Sequence, residues 1–289
     1  MTRCKALASV VLALGIAATL TLGACAPAKT VNNLNVVTST SLIAQIVTRV
    51  GGDKVSVINI IPPAQCPGHF DVKPGDIQRL ADADLFLFHG WQGEKFSQEL
   101  IDSADNPDLT VVSLDIQTTE SDNWMVPSVQ IEATDKITAA LCQVDSENST
   151  AYQQRAADYS NVISAKEAEL RSELDQVDFS TINVMCAEMQ AGFVGWLGFN
   201  IVTSYGRPDS FTPQVVRELV DAGREAGVSL IIDNLQSGQD AAKAVAEELG
   251  CTRIILSNFP GGFTDTETWE KAIDKNVALV LEALGQNQG

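Results

Sequence analysis

The sequence has few histidines, and it lacks the short motifs that mark several classes of enzyme. Only two histidines occur in 289 residues. There is no Cys-x-x-Cys pair, no Gly-x-Ser-x-Gly nucleophile elbow and no phosphate-binding glycine loop. No motif therefore supports an enzyme, although a thiol enzyme that pairs Cys66 or Cys186 with His69 or His89 stays as an alternative interpretation.

Basic residues are also scarce. The chain has 19 Lys and Arg residues against 37 Asp and Glu residues, which gives a net charge of −18 at pH 7. Such a chain is repelled by the phosphates of nucleic acids and by anionic lipid surfaces. The composition argues against a nucleic-acid partner and is compatible with a cationic ligand.

Long apolar runs are missing after the first 25 residues, which themselves have the pattern of a secretory signal. Arg3 and Lys5 precede an uncharged apolar run over 7–22, which is too short and too rich in alanine for a membrane span. A leucine and two small residues then precede Cys25, as in a bacterial lipobox. This pattern predicts a lipoprotein signal peptide over 1–24, a lipid anchor on Cys25 and a tether over 25–33, with the protein on the extracytoplasmic face of a membrane. A plain signal peptide with a chance cysteine is the alternative.

Four cysteines remain once Cys4 is removed with the signal peptide and Cys25 carries lipid. Disulfides are permitted outside the cytoplasm. The four are Cys66, Cys142, Cys186 and Cys251, and the sequence does not choose among their three full pairings.

Strand-like apolar runs alternate with helical patterns over 34–145 and again over 178–289, where one helical pattern covers 238–249. Between these regions, 146–177 contains no Gly or Pro and repeats apolar residues at steps of three, four or seven, which is typical of one long helix. Its apolar stripe consists of Tyr152, Ala156, Tyr159, Ile163, Leu170, Leu174 and Val177. We therefore predict an α/β fold of two similar lobes, each with a mostly parallel four-stranded sheet, joined by one long rigid linker helix.

Residues capable of metal binding or catalysis follow the predicted strands. Ligands of open α/β sheets bind beyond the carboxyl ends of the strands, so the side chains at these ends are expected to share a cleft between the lobes. Thiolate, imidazole and carboxylate groups together suit a divalent transition metal, with zinc first. The residues at these ends are Cys66, His69 and His89 in the first lobe and Cys186, Glu188, Gln190, Asp233 and Asn258 in the second.

Several of these residues have an alternative role within the fold. His69 and Asp233 are also placed to cap helices. The negative charge of Glu188 is placed near a helix N-terminus, where it interacts favourably with the helix dipole. Cys66 and Cys186 are equally compatible with a disulfide or with inert buried thiols. Trp124 and two other tryptophans are packing residues in the simplest interpretation, but they would also line the pocket of a bulkier ligand.

Six segments, taken together, resemble one family: the zinc- and manganese-binding lipoproteins of bacterial ABC importers. The segments are 36–43, 50–55, 61–63, 74–85, the long helix that opens at Glu147, and Pro260-Gly261-Gly262. The resemblance implies two lobes, a rigid linking helix that restricts closure, and a metal ion in the cleft. It also implies delivery of zinc, or of another divalent transition metal, to a membrane permease that is powered by a cytoplasmic ATPase.

The resemblance also implies ligand positions, and the chain departs from the family at most of them. Where the family has Pro-His-x-Tyr-Glu-Pro, this chain has the segment 66–71, so His69 is displaced by one position. Asp122 stands where a second family histidine is expected, and Asn258 stands where the family has Asp. The implied metal ligands are His69, Cys66, Cys186, Glu188, Asp122 and Asn258, with His89, Gln190, Asp233 and Trp124 around them.

These departures make the expected site softer than the usual one, because Cys66 and Cys186 replace nitrogen and oxygen donors. A softer site favours zinc or copper over manganese. The departures also keep three alternatives open: a complexed metal cargo such as a corrinoid, haem or metallophore, the thiol enzyme, and a surface lipoprotein that has lost its ligand.

Overall fold

The computed structural model describes residues 33–91, 94–116, 118–119 and 121–286. The predictions for the signal peptide, for Cys25 and for all but the last residue of the tether lie outside these residues. Within the described ranges, no helix is both long enough and apolar enough to cross a membrane.

The first lobe is built on a four-stranded parallel sheet. Its strands run in the spatial order β2-β1-β3-β4, and each neighbouring pair is parallel. The run Leu-Phe-Leu-Phe of β3 has no polar residue because helices cover both faces of a parallel sheet. The strands are β1 (Leu34–Thr38), β2 (Val55–Asn59), β3 (Leu85–Phe88) and β4 (Thr110–Ser113).

The second lobe repeats this arrangement. Its spatial order, β6-β5-β7-β8, is that of the first lobe, and all of its pairs are parallel. The strands are β5 (Asn183–Ala187), β6 (Asn200–Tyr205), β7 (Leu230–Asn234) and β8 (Thr252–Leu256). The predicted fold of two similar lobes with parallel four-stranded sheets is therefore confirmed.

Helices cover both sheets. Several of them begin with Pro at the first position. Pro lacks an N–H, and at this position an N–H would have no acceptor within the helix. The helices are α1 (Ser41–Gly51), α2 (Pro74–Ala81), α3 (Phe96–Ala104), α4 (Pro127–Val144), α5 (Ser149–Leu174), α6 (Ala191–Leu197), α7 (Pro213–Ala226), α8 (Leu235–Gly238), α9 (Lys243–Leu249) and α10 (Trp269–Gln286).

The long helix α5 connects the lobes, as predicted, and spans about 39 Å for its 26 residues. Every member of the predicted apolar stripe that lies within α5 is buried. The helix packs against α1 and α4 of the first lobe and against α10 of the second. One continuous apolar core therefore runs along α5 and includes Tyr152 and, from the second lobe, Trp269.

The predicted helix over 238–249 is wrong at its start. The structure has two short helices there, α8 and α9, separated by residues 239–242. Gly238 adopts a φ of 148°, outside the helical region, and the Cβ of any other residue would clash with Pro208. The backbone N–H of Ala242 donates to the Asp233 carboxylate, which fixes the start of α9.

Candidate functional site

A cavity of about 510 Å³ opens between the lobes at the carboxyl ends of both sheets. From the first lobe, Cys66 follows β2, Trp91 follows β3, and Asp122 lies between β4 and α4. From the second lobe, Glu188 follows β5 and Asn258 follows β8. The parallel topology brings all of these strand ends to one place, which is why residues so distant in the chain share a cavity.

Cys66 and His69 belong to the same short turn but differ in their surroundings. Cys66 precedes the 3₁₀ turn Pro67–His69 and its side chain lines the cavity while only 7% exposed. His69 donates its backbone N–H to the Cys66 carbonyl at 3.1 Å, but its side chain is exposed and does not line the cavity. Of these two predicted ligands, the turn therefore brings Cys66 to the cavity.

His89 lies behind the cavity wall. Its imidazole is 1% exposed and stacks on Trp91, with ring centroids 3.7 Å apart, and it meets Trp124 edge-on at 4.4 Å. Nε2 is 2.7 Å from the Thr40 hydroxyl, whereas Nδ1 has no hydrogen-bond partner among the described residues. Burial lowers the pKa of His89 well below 6.5, so the ring is neutral at physiological pH.

The loop after β3 also buries a carboxyl group. Glu94 is 3% exposed and accepts the backbone N–H of Gly90 at 2.9 Å. Burial raises the pKa of Glu94 to about 6, although the hydrogen bond from the backbone N–H of Gly90 lowers it. This carboxyl group holds the loop that carries Trp91.

Asn258 lines the cavity, but its amide group already bridges parts of the site. Its Nδ2 donates to the Met189 carbonyl at 2.6 Å, and its Oδ1 accepts from Nδ2 of Asn123 at 3.2 Å. Asn123 also donates to the Met189 carbonyl at 2.9 Å. Because Asn123 belongs to the first lobe and the other two to the second, these bonds hold the cleft together.

Gln236 makes a second link across the cleft. Its Nε2 donates to the Pro63 carbonyl of the first lobe at 2.9 Å and to the Ser257 hydroxyl, and its Oε1 accepts the N–H of Asn258. Neither Asn123 nor Gln236 was among the predicted site residues, because amide side chains in loops carry no distinctive spacing.

Cys186 lies near the end of β5 and Gln190 lies just after that strand, but neither residue lines the cavity. Cys186 is fully buried within β5, and burial raises the pKa of its thiol to about 12. Gln190 is also fully buried, and neither its Oε1 nor its Nε2 has a hydrogen-bond partner among the described residues. The four cysteines of the described residues are all free thiols, so the described part of the chain contains no Cys66–Cys186 disulfide.

Asp233 makes its ion pair and its hydrogen bonds within the second lobe. Its carboxylate is fully buried, where it pairs with Arg253 Nη1 at 2.6 Å and accepts from the Tyr205 hydroxyl at 2.9 Å. Burial raises the pKa of Asp233 in spite of the hydrogen bonds from Arg253 and Tyr205 that lower it. It lies outside the cavity lining, and these bonds tie β7 to β6 and β8.

Arg207, which was not predicted, also lines the cavity. It follows β6, the one strand of the second lobe whose end was not considered in the sequence, and it is half-buried. Its guanidinium group lies against Gly68, so closely that a Cβ at position 68 would stand 2.7 Å from Nη1. The positively charged side chain of Arg207 therefore lies in the cleft beside the turn that carries Cys66.

The cavity thus collects four of the six predicted ligands: Cys66, Asp122, Glu188 and Asn258. Trp124 also lines it, whereas His69, Cys186, His89, Gln190 and Asp233 do not. Across 33–91, 94–116, 118–119 and 121–286, no three His, Cys, Asp or Glu side chains converge closely enough to hold a metal ion.

A family model and several known proteins match most of the chain. The family model described as "Zinc-uptake complex component A periplasmic" matches residues 36–283. The iron-binding protein YfeA of Yersinia pestis is 23% identical, over 98% of this chain and 97% of that protein. The manganese ABC transporter substrate-binding lipoprotein scaA of Streptococcus gordonii is also 23% identical, over 88% of this chain and 90% of that protein.

Solved structures share the fold at lower identity. The substrate-binding protein FpvC of P. aeruginosa, in complex with Ni²⁺, superposes with a TM-score of 0.76 at 18% identity and covers 89% of this chain and 98% of its own. The periplasmic zinc-binding protein TroA of Treponema pallidum gives a TM-score of 0.75 at 17% identity, over 87% of this chain and 99% of its own.

Proposed function

Because this chain belongs to the family of zinc-uptake complex component A, the metal-binding components of ABC importers, we propose that it captures a divalent transition metal between its lobes. It then delivers the metal to a membrane permease powered by a cytoplasmic ATPase. The observation that carries this proposal is the cavity at the carboxyl ends of both sheets, with Cys66, Asp122 and Glu188 on its wall. Zinc is the first candidate, since thiolate and carboxylate donors both suit it.

The donor set of the cavity supports a borderline or soft metal. A Cys66 thiolate and the thioether of Met189 are soft, and the Asp122 and Glu188 carboxylates are hard. His69 adds nitrogen only if the turn Pro67–His69 rotates its side chain inward, and Cys186 adds sulfur only if β5 moves. We therefore propose Cys66, Asp122 and Glu188 as the principal donors, with Asn258 held beside them by Asn123. These three side chains line one cavity but do not converge on one point, so they must move toward one another when the metal binds.

A membrane anchor on Cys25 is part of the same proposal. The relatives from Streptococcus are named as lipoproteins, which supports lipidation at the lipobox cysteine. An anchored binding protein stays close to its permease on the extracytoplasmic face. Replacement of Cys25 by Ala should release the protein from the membrane fraction, whereas Cys4→Ala should not.

A complexed metal is the second candidate cargo. The cavity, at about 510 Å³, has the volume of a small-molecule pocket and is far larger than the ~30 Å³ of one water molecule. No catalytic role is proposed, because the named relatives are binding and transport proteins.

Metal content is the test of the proposed function. Elemental analysis of the purified protein, followed by titration with Zn²⁺, Mn²⁺ and Ni²⁺, should give about one metal per chain. Cys66→Ala should weaken zinc binding because it removes the thiolate donor, whereas Cys142→Ala, outside the cleft, should not. Failure of every metal to bind, bare or complexed, would instead favour a surface lipoprotein without a cargo.

A further inference from the structure

The guanidinium group of Arg207 is a positive charge on the wall of a cleft proposed to take up a cation. The side chain is half-buried, packs on Gly68 and faces the same cavity as Cys66. Within the described residues, no carboxylate lies in ion-pair contact with it. Its charge is therefore available to a ligand.

A bare divalent cation gains nothing from such a neighbour. Like charges a few ångströms apart repel, and the repulsion grows as water is excluded from the cleft. Asp122 and Glu188, which line the same cavity, attract a metal ion, so the cavity presents charges of both signs. A ligand that contains both a metal ion and an organic anion complements both charges: the metal ion faces the carboxylates, and the anion faces Arg207. Guanidinium is the side-chain group best suited to bind a carboxylate with two hydrogen bonds.

The cavity also presents apolar surface that a metal ion does not use. Trp91 is 37% exposed and Met189 is 49% exposed, and both line the cavity. Trp91 is held in place by the His89 ring stacked on it at 3.7 Å. An exposed indole fixed at the wall of a cavity of about 510 Å³ is a platform for a flat organic group.

From these three features we infer that the cargo is an anionic metal chelate: a metal ion already held by a small organic molecule that bears a carboxylate. The carboxylate pairs with Arg207, the organic body packs on Trp91, and Cys66, Asp122 and Glu188 face the metal. This inference rests on the proposed function, because it specifies the form in which the metal is captured.

Native mass spectrometry with three zinc chelates tests the inference. The probes are zinc with citrate, with nitrilotriacetate and with pyridine-2,6-dicarboxylate, each compared with zinc alone and with the chelator alone. At least one chelate should remain on the protein as a complex whose mass includes both zinc and chelator. Calorimetry should then give tighter binding for that chelate than for bare zinc.

Variants of Arg207 assign the anion site. Arg207→Ala should lose the chelator from the complex while zinc is still bound, and should weaken chelate binding by about tenfold or more. Arg207→Lys, which keeps a point charge without the planar fork, should lose less. Arg224→Ala is the matched control, since Arg224 is a surface residue of α7 paired with Glu248 at 3.6 Å.

The outcomes separate this inference from the proposed function. If the protein binds zinc but strips it from all three chelators, or if Arg207→Ala retains the chelator as well as the natural chain does, the chelate inference is overturned and capture of a bare ion stands. If neither zinc nor any chelate binds, the proposed function itself fails.

Discussion

The imidazole of His89 lies flat on the indole of Trp91, with ring centroids 3.7 Å apart and an angle of 7° between the planes. Trp124 meets the same imidazole edge-on, and the Thr40 hydroxyl lies 2.7 Å from Nε2. A protonated ring would be a buried charge in this setting, so burial holds the pKa of His89 well below 6.5. The neutral ring supports two tryptophans that line the cavity.

The first prediction concerns stability in acid. The unfolded chain binds a proton at His89 more readily than the folded chain, so the folded state loses stability as the pH falls below about 6.5. The loss of stability from this linkage should therefore grow between pH 7 and pH 5. In His89→Gln that share of the pH dependence should disappear, as measured by urea unfolding at each pH.

His69→Gln is the matched control for this experiment, because His69 is the other histidine and its side chain is exposed. Its unfolding free energy should follow the natural chain across the same pH range. Parallel curves for His89→Gln and the natural chain would show that His89 binds a proton as readily in the folded protein as in the unfolded chain.

Glu94 gives the second prediction, with the opposite sign. Its folded pKa of about 6 lies above the usual 4.5, so its contribution to stability is present below pH 4.5 and is lost as the pH rises through 6. The full loss is about 2 kcal/mol. Glu94→Gln should therefore be more stable relative to the natural chain at pH 7.5 than at pH 4.5, whereas Glu99→Gln, exposed on the neighbouring helix, should show no such change. An unchanged pH profile in Glu94→Gln would contradict the buried carboxyl.

Much of the site could be predicted because strand ends meet at one edge of a parallel sheet. That rule places Cys66, Glu188 and Asn258 at the cavity without any knowledge of side-chain direction. It overlooked Arg207, which also follows a strand, because arginine is not a metal donor and was not sought.

Side-chain direction is what the sequence did not provide. Along β5 alternate residues face opposite sides of the sheet, so Cys186 packs with Val184 in one core while Met185 and Ala187 pack in another. Cys186 and Ala187 both lie within β5 and pack in the cores, and the chain reaches the cavity only at Glu188, after the strand has ended. The lobes and the linker helix were easier to predict, since they depend on apolar periodicity over many residues.

The third prediction uses the thiols as reporters. Cys66 lines the cavity, whereas Cys186 is fully buried and burial raises its pKa to about 12. Since the thiolate is the reactive form, iodoacetamide at pH 8 should modify Cys66 but not Cys186 in the folded, metal-free protein. Zinc should protect Cys66 and leave the partly exposed Cys142 unaffected, as read by peptide mass spectrometry. Equal labelling of Cys66 with and without metal would remove it from the donor set.

The fourth prediction tests the buried ion pair of the second lobe. Arg253 is the cationic partner of the fully buried Asp233, at 2.6 Å. Arg253→Met leaves that carboxylate without its countercharge, and the loss of one partner from a buried pair destabilises the fold by about 3 kcal/mol. Arg224→Met, which breaks an exposed pair, should change the unfolding free energy by less than about 1 kcal/mol. A similar small loss in both variants would mean that the Tyr205 hydroxyl and the N–H of Ala242 suffice for Asp233.

The fifth prediction moves Arg207 without replacing it. A methyl group at position 68 would lie 2.7 Å from Nη1, and because the guanidinium is the far end of a flexible side chain, it should yield rather than the backbone. Gly68→Ala should therefore keep the stability of the natural chain and its zinc binding, but should retain less zinc chelate in native mass spectrometry. Gly75→Ala is the matched control, since a Cβ at position 75, in the first turn of α2, would meet nothing within 4 Å. Full retention of the chelate by Gly68→Ala would show that the carboxylate does not depend on where Arg207 lies, and the anion site would have to be sought elsewhere on the cavity wall.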